Sequence, residues 1–180
     1  MATILTILPE GFEEIEAITP IDLWRRAGFD VSVASLSSKT KVTGRSNIAI
    51  HADMALGSIA PSLTFDLLFL PGGPGVAHLR ESPEVRDLLG RQFVADKWIA
   101  AICAAPLVLH DAGLLDGKDF TAHPSTSGEL SIPKSDRKVV VDGKIITSPG
   151  AGTALPFALH IITSLIGEKR SEEISLSICA

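Results

Sequence analysis

The residues Trp98–Pro106, with the sequence WIAAICAAP, join a short apolar run to a proline-led segment through a single cysteine. The run WIAAIC carries no charge, which is typical of a strand buried on both faces of a sheet. Pro106 suits the first turn of a helix, because proline lacks the N–H group that this turn leaves unpaired. The stretch therefore predicts a buried strand that turns directly into a helix, with Cys103 at the junction.

Outward from this junction, helical spacing recurs along the chain. Gly28 is a suitable stop for the first helix, and Pro20 should kink that helix or end its first half. In a later helix, Ser82 is a predicted cap and Pro83 a predicted first turn. Helices are predicted over 10–29, 82–97, 106–113, 153–167 and 171–179. Their apolar positions include Phe12, Ile15, Ile18, Leu23, Trp24, Val85, Leu88, Leu89 and Phe93.

Apolar runs between these helices predict the strands. Asp142-Gly143 lies between two β-rich runs and predicts a hairpin over 137–148. A polar loop is expected over 37–47. The other strands are predicted over 3–9, 30–36, 48–51, 65–70, 98–103 and 118–123. Apolar strands that alternate with helices predict one α/β domain over 1–180, with a mainly parallel sheet covered on both faces.

Composition limits the classes of partner and compartment. The chain has 180 residues, of which 46% are hydrophobic, and its net charge of −5 does not favour nucleic acid or an anionic membrane. No apolar run reaches the roughly 18 residues that span a bilayer, and the N-terminus has no basic region typical of a signal peptide. Two distant cysteines, Cys103 and Cys179, are too few for a disulfide framework, so a reducing cytoplasmic location is expected.

Cys103 has the surroundings of a nucleophile at a strand-to-helix turn. Ala101 and Ala105 are small enough for that tight turn, as are the glycines of the G-x-S-x-G motif. The helix start is expected to favour thiolate over thiol. Gly73, at the end of a predicted strand, and Ala104 could each supply an N–H group to a developing oxyanion. A buried structural cysteine and a plain glycine turn remain open as alternatives.

Motifs for metals and nucleotides are absent from the sequence. The histidines form no HxH or HxxxH pair, and there is no CxxC motif. PGGPG differs from the phosphate-binding G-x-x-x-x-G-K-[ST] loop, and no G-x-G-x-x-G follows a predicted strand. We therefore expect neither a metal site nor a nucleotide cofactor.

The motifs PEGFEEIEAITPIDLWRRAG, FLPGGPG, AAICAAP, TAHP and TSPGAGTALPFAL occur in this order. In this the sequence resembles the ThiJ/PfpI family, and within it the DJ-one branch, which includes the parkinsonism-associated protein and its bacterial relatives. The resemblance covers nearly the whole chain. It implies a flavodoxin-like fold, similar to the class I glutamine amidotransferases, and a homodimer. Two positions depart from the family: Ala104 replaces the histidine of the protease-like branch, and Pro149 replaces a polar or basic side chain.

The resemblance also implies roles for individual residues. Cys103 matches the reactive, oxidisable cysteine, and Glu16 matches a glutamate whose protonated carboxyl hydrogen-bonds the thiolate. Spacing alone does not distinguish Glu16 from Glu13 or Glu14. The remaining matches are Gly72, Gly73 and Ala104 at the backbone oxyanion site, His123 close to the cysteine, and Arg45 and Arg26 near the site and the dimer interface.

The function implied by the resemblance is cofactor-free chemistry on reactive 2-oxoaldehydes. This is a glutathione-independent glyoxalase that forms lactate from methylglyoxal, with a related deglycase activity. An alternative is a redox sensor with an oxidisable Cys103 and holdase-type chaperone behaviour. A weaker alternative is a hydratase similar to the isocyanide hydratases. One activated cysteine would serve all three functions.

Overall fold

A computed structural model describes residues 1–131 and 137–180. The strands are β1 (Thr3–Leu8), β2 (Asp30–Ser35), β3 (Lys41–Thr43), β4 (Ala49–His51), β5 (Met54–Ala55), β6 (Leu67–Leu70), β7 (Trp98–Ile102), β8 (Val140–Asp142) and β9 (Ile145–Ser148). The helices are α1 (Glu14–Ala27), α2 (Val76–Glu81), α3 (Pro83–Val94), α4 (Pro106–Asp111), α5 (Ala154–Ile166) and α6 (Glu168–Ser177).

Seven strands form the main sheet, in the order β5-β2-β1-β6-β7-β9-β8. All neighbouring strands in it are parallel except β8, which pairs antiparallel with β9. The five central strands, β2-β1-β6-β7-β9, have the order of flavodoxin-like sheets. The predicted α/β architecture is confirmed. From β1 the chain first adds β2 on one side and then continues with β6 on the other side, so the loops after β1 and β6 leave on opposite faces of the sheet. A crevice is expected above the carboxyl ends of these two strands.

Two apolar layers cover the sheet. In β1, Ile4 and Leu8 face the layer formed with α1, α5 and α6, whereas Leu5 and Ile7 face the layer formed with α2, α3 and α4. This alternation follows from the period of two in a strand. Trp24 anchors the first layer and donates its indole N–H to the carbonyl of Ala158 at 3.1 Å. The rigid sheet thus fixes the loops that leave its carboxyl edge.

Several local predictions are confirmed. Gly28 ends α1 in a left-handed conformation with φ of 92°. The Ser82 hydroxyl accepts the N–H of Val85 at 3.3 Å and caps α3. The predicted hairpin connects β8 to β9, with Gly143 at φ of 59°. One alternative is wrong: Pro20 does not end the first half of α1, because the helix continues through it to Ala27. Among the described residues, no helix is long and apolar enough to cross a bilayer.

Other local predictions are wrong. Residues 118–123 form no strand, because the N–H of Thr121 bonds to the side-chain oxygen of Thr147 instead of a strand backbone. The expected polar loop over 37–47 contains β3, which pairs with β4 in a separate hairpin. Ile15, Ile18 and Phe93 are exposed rather than buried. Hydrophobic spacing identified the two helices that carry these residues, α1 and α3, but it did not identify which apolar residues face the core.

Candidate active site

Cys103 lies at a sharp turn between β7 and α4. Its φ of 64° is in the left-handed region, which a residue with a side chain rarely adopts. Hydrogen bonds hold this conformation: the Cys103 N–H donates to the Ser148 carbonyl at 2.9 Å, and its carbonyl accepts the His123 N–H at 2.8 Å. Ala101 and Ala105 are fully buried beside the turn. The thiol is half-buried, so the turn presents it to the crevice at the sheet edge.

Glu16 approaches the thiol from the first turn of α1. The Glu13 carboxylate caps this helix by accepting the Glu16 N–H at 2.7 Å. The Glu16 side chain is 1% exposed and hydrogen-bonds to Cys103. Its carboxyl also accepts the N–H of Gly72 at 3.0 Å and that of Ala151. A buried carboxyl bonded to a thiol and to two backbone N–H groups is therefore fixed in one orientation.

Two glycines leave room for this contact. A Cβ atom at Gly72 would lie 2.5 Å from both the Cys103 Cβ and a Glu16 oxygen. Gly73 has φ of 98°, and a Cβ there would lie 2.6 Å from the carbonyl oxygen of Gly11. Both distances are shorter than van der Waals contact allows. These positions require glycine because the loop after β6 passes directly against the start of α1 and against the sharp turn at Cys103, which we call the elbow.

The N–H groups of Gly73 and Ala104 both donate to Cys103. These are the two donors that the sequence suggested for an oxyanion. Donors that converge on one sulfur also surround the space in which an atom added to that sulfur would develop negative charge. The structure thus brings Cys103, Glu16, Gly72, Gly73 and Ala104 into one cluster.

Burial controls the protonation of the two central groups. It raises the pKa of Glu16 to about 7, with a further contribution from the negative charge of Glu13. Burial, followed by the nearby Glu16 carboxylate, raises the pKa of Cys103 to about 12. The N–H groups of Gly73 and Ala104 lower the thiol pKa by less. These donors favour the thiolate, as expected at a helix start, whereas desolvation and the Glu16 carboxylate favour the thiol.

Near neutral pH, Glu16 and Cys103 act as a coupled pair. Two negative charges in contact at a buried site repel strongly, so the pair retains a proton where one isolated carboxylate would lose it. This proton can lie on the thiol or on the carboxyl, which face each other across one hydrogen bond. Glu16 is therefore placed to take the thiol proton as the sulfur forms a bond.

His123 lies at the exposed rim of the same crevice. The Ser125 N–H donates to its Nδ1 at 3.2 Å, and the Ser125 hydroxyl lies 2.8 Å from that nitrogen. A backbone N–H can only donate, so the neutral ring carries its proton on Nε2. A Cβ at Gly150 would lie 3.5 Å from the His123 Cδ2 and 3.8 Å from a Glu16 oxygen. His123 and Glu16 therefore border one space.

The two candidate arginines lie outside this cluster. Arg26 is near the far end of α1, where its guanidinium pairs with Asp22 at 2.9 Å. Arg45 is exposed, and its N–H donates to the carbonyl of Phe12 near the start of α1. Neither arginine has a hydrogen bond to Cys103 or Glu16 within the part of the chain that the structure describes. Any role for them would have to be exerted outside the thiol–carboxyl contact.

Four site residues were not identified from the sequence. Ser148 is the last residue of β9, Gly150 and Ala151 come from the loop that follows it, and Ser125 lies two residues after His123. Ser148 and Ala151 act through backbone groups, which any residue type possesses, so no side-chain motif could reveal them. The glycine-rich run TSPGAGT was the only available signal. Within residues 1–131 and 137–180, no group of three or more acidic, histidine or cysteine side chains could hold a metal ion.

Comparison with known proteins places this geometry in context. The family model described as "DJ-1/PfpI family" matches residues 2–164. Protein dj-1beta of Drosophila melanogaster is 42% identical over 175 residues, which cover 95% of this chain and 93% of that protein. Its crystal structure aligns with a TM-score of 0.94 over 99% of this chain and 98% of that chain.

Two further proteins are similar over almost their full lengths. The glutathione-independent glyoxalase DJR-1.2 of Caenorhabditis elegans is 34% identical, over 99% of this chain and 96% of that protein. The structure of oxidized DJ-1 from Toxoplasma gondii has a TM-score of 0.93 and 33% identity, over 99% of this chain and 98% of that chain.

Proposed function

Because this chain belongs to the DJ-1/PfpI family, we propose that it is a cysteine-dependent enzyme that acts on reactive 2-oxoaldehydes without a cofactor. The observation that carries the proposal is the buried Glu16–Cys103 contact, with the N–H groups of Gly73 and Ala104 directed at the sulfur. The glyoxalase name of the C. elegans relative favours this substrate class. The expected reaction converts methylglyoxal and water to lactate; early glycated adducts are a related substrate class.

The first step joins the sulfur to the aldehyde carbon. As the S–C bond forms, Glu16 takes the thiol proton, and the aldehyde oxygen becomes an alkoxide that accepts the N–H groups of Gly73 and Ala104. Glu16 then gives this proton to the alkoxide oxygen, which forms a hemithioacetal and leaves Glu16 ionised. A Glu16 pKa of about 7 suits this role, because a base accepts and returns protons efficiently when its pKa lies near the working pH.

The second step is an internal redox exchange. Glu16 removes the proton from the carbon bonded to sulfur, and the resulting enediol accepts a proton at the neighbouring carbon. One carbon is thereby oxidised to a thioester and the other reduced to an alcohol, so no electron carrier is needed. Water then attacks the thioester, releases a 2-hydroxy acid and restores the thiol. His123, with its proton on Nε2, borders the space in which these proton transfers would occur.

The test measures lactate formed from methylglyoxal without glutathione. Wild type and Cys179→Ala should form lactate at equal rates, because Cys179 is exposed and distant in sequence from the site. Cys103→Ala should reduce turnover by at least about 1,000-fold, because the variant lacks the nucleophile. Glu16→Gln should reduce kcat by about 100-fold or more, since it removes the base. Absence of lactate with wild type, or unchanged turnover in Cys103→Ala, would contradict the proposal.

A redox-sensing role is the second candidate. It is favoured by the half-buried position of Cys103, which lets peroxide reach the sulfur, and by the oxidized state named for the T. gondii relative. Intact mass after peroxide titration of Cys179→Ala should show two added oxygen atoms on Cys103. An unmodified thiol at low peroxide excess would exclude this role.

We also propose a homodimer that forms through α1. The side chains of Ile15 and Ile18 are 55% and 39% exposed, although both are large and apolar. Ile18 borders a groove with Ile50 and His51 of β4. A second copy that brings the same face would cover these side chains symmetrically, as is common for dimers with twofold symmetry.

A further inference from the structure

Arg80 lies outside the thiol–carboxyl cluster, but its guanidinium bridges two acidic side chains. Its Nε and Nη2 atoms contact the two oxygens of Asp111 at 2.6 and 3.0 Å. Its Nη1 and Nη2 atoms contact the two oxygens of Glu129 at 3.1 and 2.7 Å. Both carboxylates are therefore bound in the bidentate geometry that gives arginine pairs their directional strength.

Arg80 and its two acidic partners lie on three different segments that lead away from the site. Arg80 is on α2, which follows the Gly72–Gly73 loop. Asp111 is the last residue of α4, the helix that begins at the Cys103 elbow. Glu129 follows the short 3₁₀ turn Pro124–Thr126, which His123 caps. One guanidinium thus connects the oxyanion loop, the nucleophile helix and the histidine segment.

We propose that Arg80 is a positioning residue that holds the His123 segment against the nucleophile helix and so keeps the His123 ring oriented towards the crevice. Without Arg80, the carboxylates of Asp111 and Glu129 would lose the cation between them, and their repulsion exceeds the attraction that His110 exerts on Glu129. The Ser125–His123 contact would then be held only by its own turn and by the His123 N–H bond to the Cys103 carbonyl. The effect on catalysis rests on the proposed function, whereas the effect on the ring does not.

The ring is tested by ¹⁵N NMR of the histidine side chains, with His123→Ala used to assign the signal. In wild type, neutral His123 should show an unprotonated Nδ1 and a protonated Nε2. Arg80→Ala should give a mixture of both tautomers. Glu129→Gln, which keeps the Arg80–Asp111 pair, should give the same mixture to a smaller extent. An unchanged wild-type tautomer in both folded variants would overturn the proposal, whether or not the protein is a glyoxalase.

Kinetics test whether Arg80 acts through His123. Arg80→Ala should lower kcat for methylglyoxal about five- to twentyfold, and Arg80→Lys should recover part of the loss because it keeps the charge but not both bidentate contacts. The double variant Arg80→Ala/His123→Ala should lie within about twofold of His123→Ala alone. Multiplicative losses in the double variant would show that Arg80 acts independently of His123 and would overturn the proposal.

The matched control is Lys97→Ala. Lys97 pairs with Asp66 at 3.0 Å and precedes β7, so it lies at the amino edge of the sheet, opposite the site. Its removal should leave the His123 tautomer and kcat unchanged. An equal change in both properties would mean that loss of any bridging cation suffices, and it would overturn the specific role of Arg80.

Discussion

The two faces of helix α1 both depart from the usual distribution of side chains: one buries a carboxyl group and the other exposes apolar groups. One face places the carboxyl of Glu16 almost completely inside the protein, whereas the other leaves Ile15 and Ile18 exposed to solvent. The buried carboxyl has a thiol and two backbone N–H groups as partners. Ile15 borders open surface, and Ile18 borders the groove beside β4. An ionisable group inside and apolar groups outside therefore occur within four residues of one helix.

This contrast separates two kinds of functional signal. A buried ionisable group costs stability unless its partners compensate, so its presence indicates chemistry at that position. Exposed apolar side chains cost little in a monomer, and a group of them indicates a surface that another molecule covers. We therefore relate the inner face to the reaction and the outer face to assembly. The experiments below change one face at a time.

The largest effect is expected from Gly72→Ala on the inner side. The added methyl group would meet the Cys103 Cβ and a Glu16 oxygen at 2.5 Å, and the elbow and α1 are both too constrained to move away. Overpacking of this kind should lower the free energy of unfolding by about 3 kcal/mol or more. Urea denaturation of the purified variant measures this change.

Gly90→Ala is the matched control, because a Cβ at Gly90 has no atom within 4 Å and lies in the middle of α3. Alanine there should stabilise the protein by roughly 0.5–1 kcal/mol, since it favours the helix. If Gly72→Ala were as stable as wild type, the close contact at the elbow would be wrong.

A smaller effect is expected from Glu16→Gln on the pH dependence of stability. The pKa of Glu16 rises from 4.5 to about 7 on folding, so between these values the native state keeps a proton that the unfolded chain has lost. Stability due to this group is therefore present at low pH and decreases as pH rises, by up to about 1.4 kcal/mol per pH unit. Glutamine does not titrate and should remove this decrease.

The measurement is the free energy of unfolding of both proteins at several pH values across this window. The difference between wild type and Glu16→Gln removes the contributions of the other titrating groups. Glu172→Gln, on α6 and without a contact to the pair, should keep the wild-type slope. A wild-type slope in Glu16→Gln would mean that the inner carboxyl titrates as it does in water.

The sequence allowed the central sheet and its two helical layers to be predicted, but not every strand. Charge-free runs such as WIAAIC report burial on both faces directly, and therefore the parallel centre of the sheet followed from composition. Residues 118–123, with the sequence KDFTAH, were also predicted as a strand, yet the Thr121 N–H bonds to the Thr147 side chain. Residues 37–47 were predicted as a loop because they are polar, yet β3 within them pairs with β4. Whether a segment forms a strand depends in both cases on the segment it pairs with, and the local sequence pattern does not identify that segment.

The site could be predicted where a side chain or a small residue was required. Cys103 was marked by its neighbours Ala101 and Ala105, and Gly72 and Gly73 by their position after a strand. Glu16 could not be separated from Glu13 and Glu14, because all three are buried at the start of one helix. The rise in the thiol pKa could not be predicted from the adjacent helix start, since the cost of burial depends on three-dimensional packing.

The smallest effect on the fold is expected from Ile18→Lys on the outer face. The side chain is already 39% exposed, so the folding free energy of the monomer should change by no more than about 0.5 kcal/mol. Association should respond far more, because twofold symmetry would bring two lysines into the same interface, where both would lose water without a partner.

Sedimentation at micromolar concentration should show dimers for wild type and monomers for Ile18→Lys. Val94→Lys, at an 87% exposed apolar position at the end of α3, should remain dimeric. If Ile18→Lys also remained dimeric, the outer face of α1 would be ordinary exposed surface, and the contrast within the helix would reduce to its inner carboxyl.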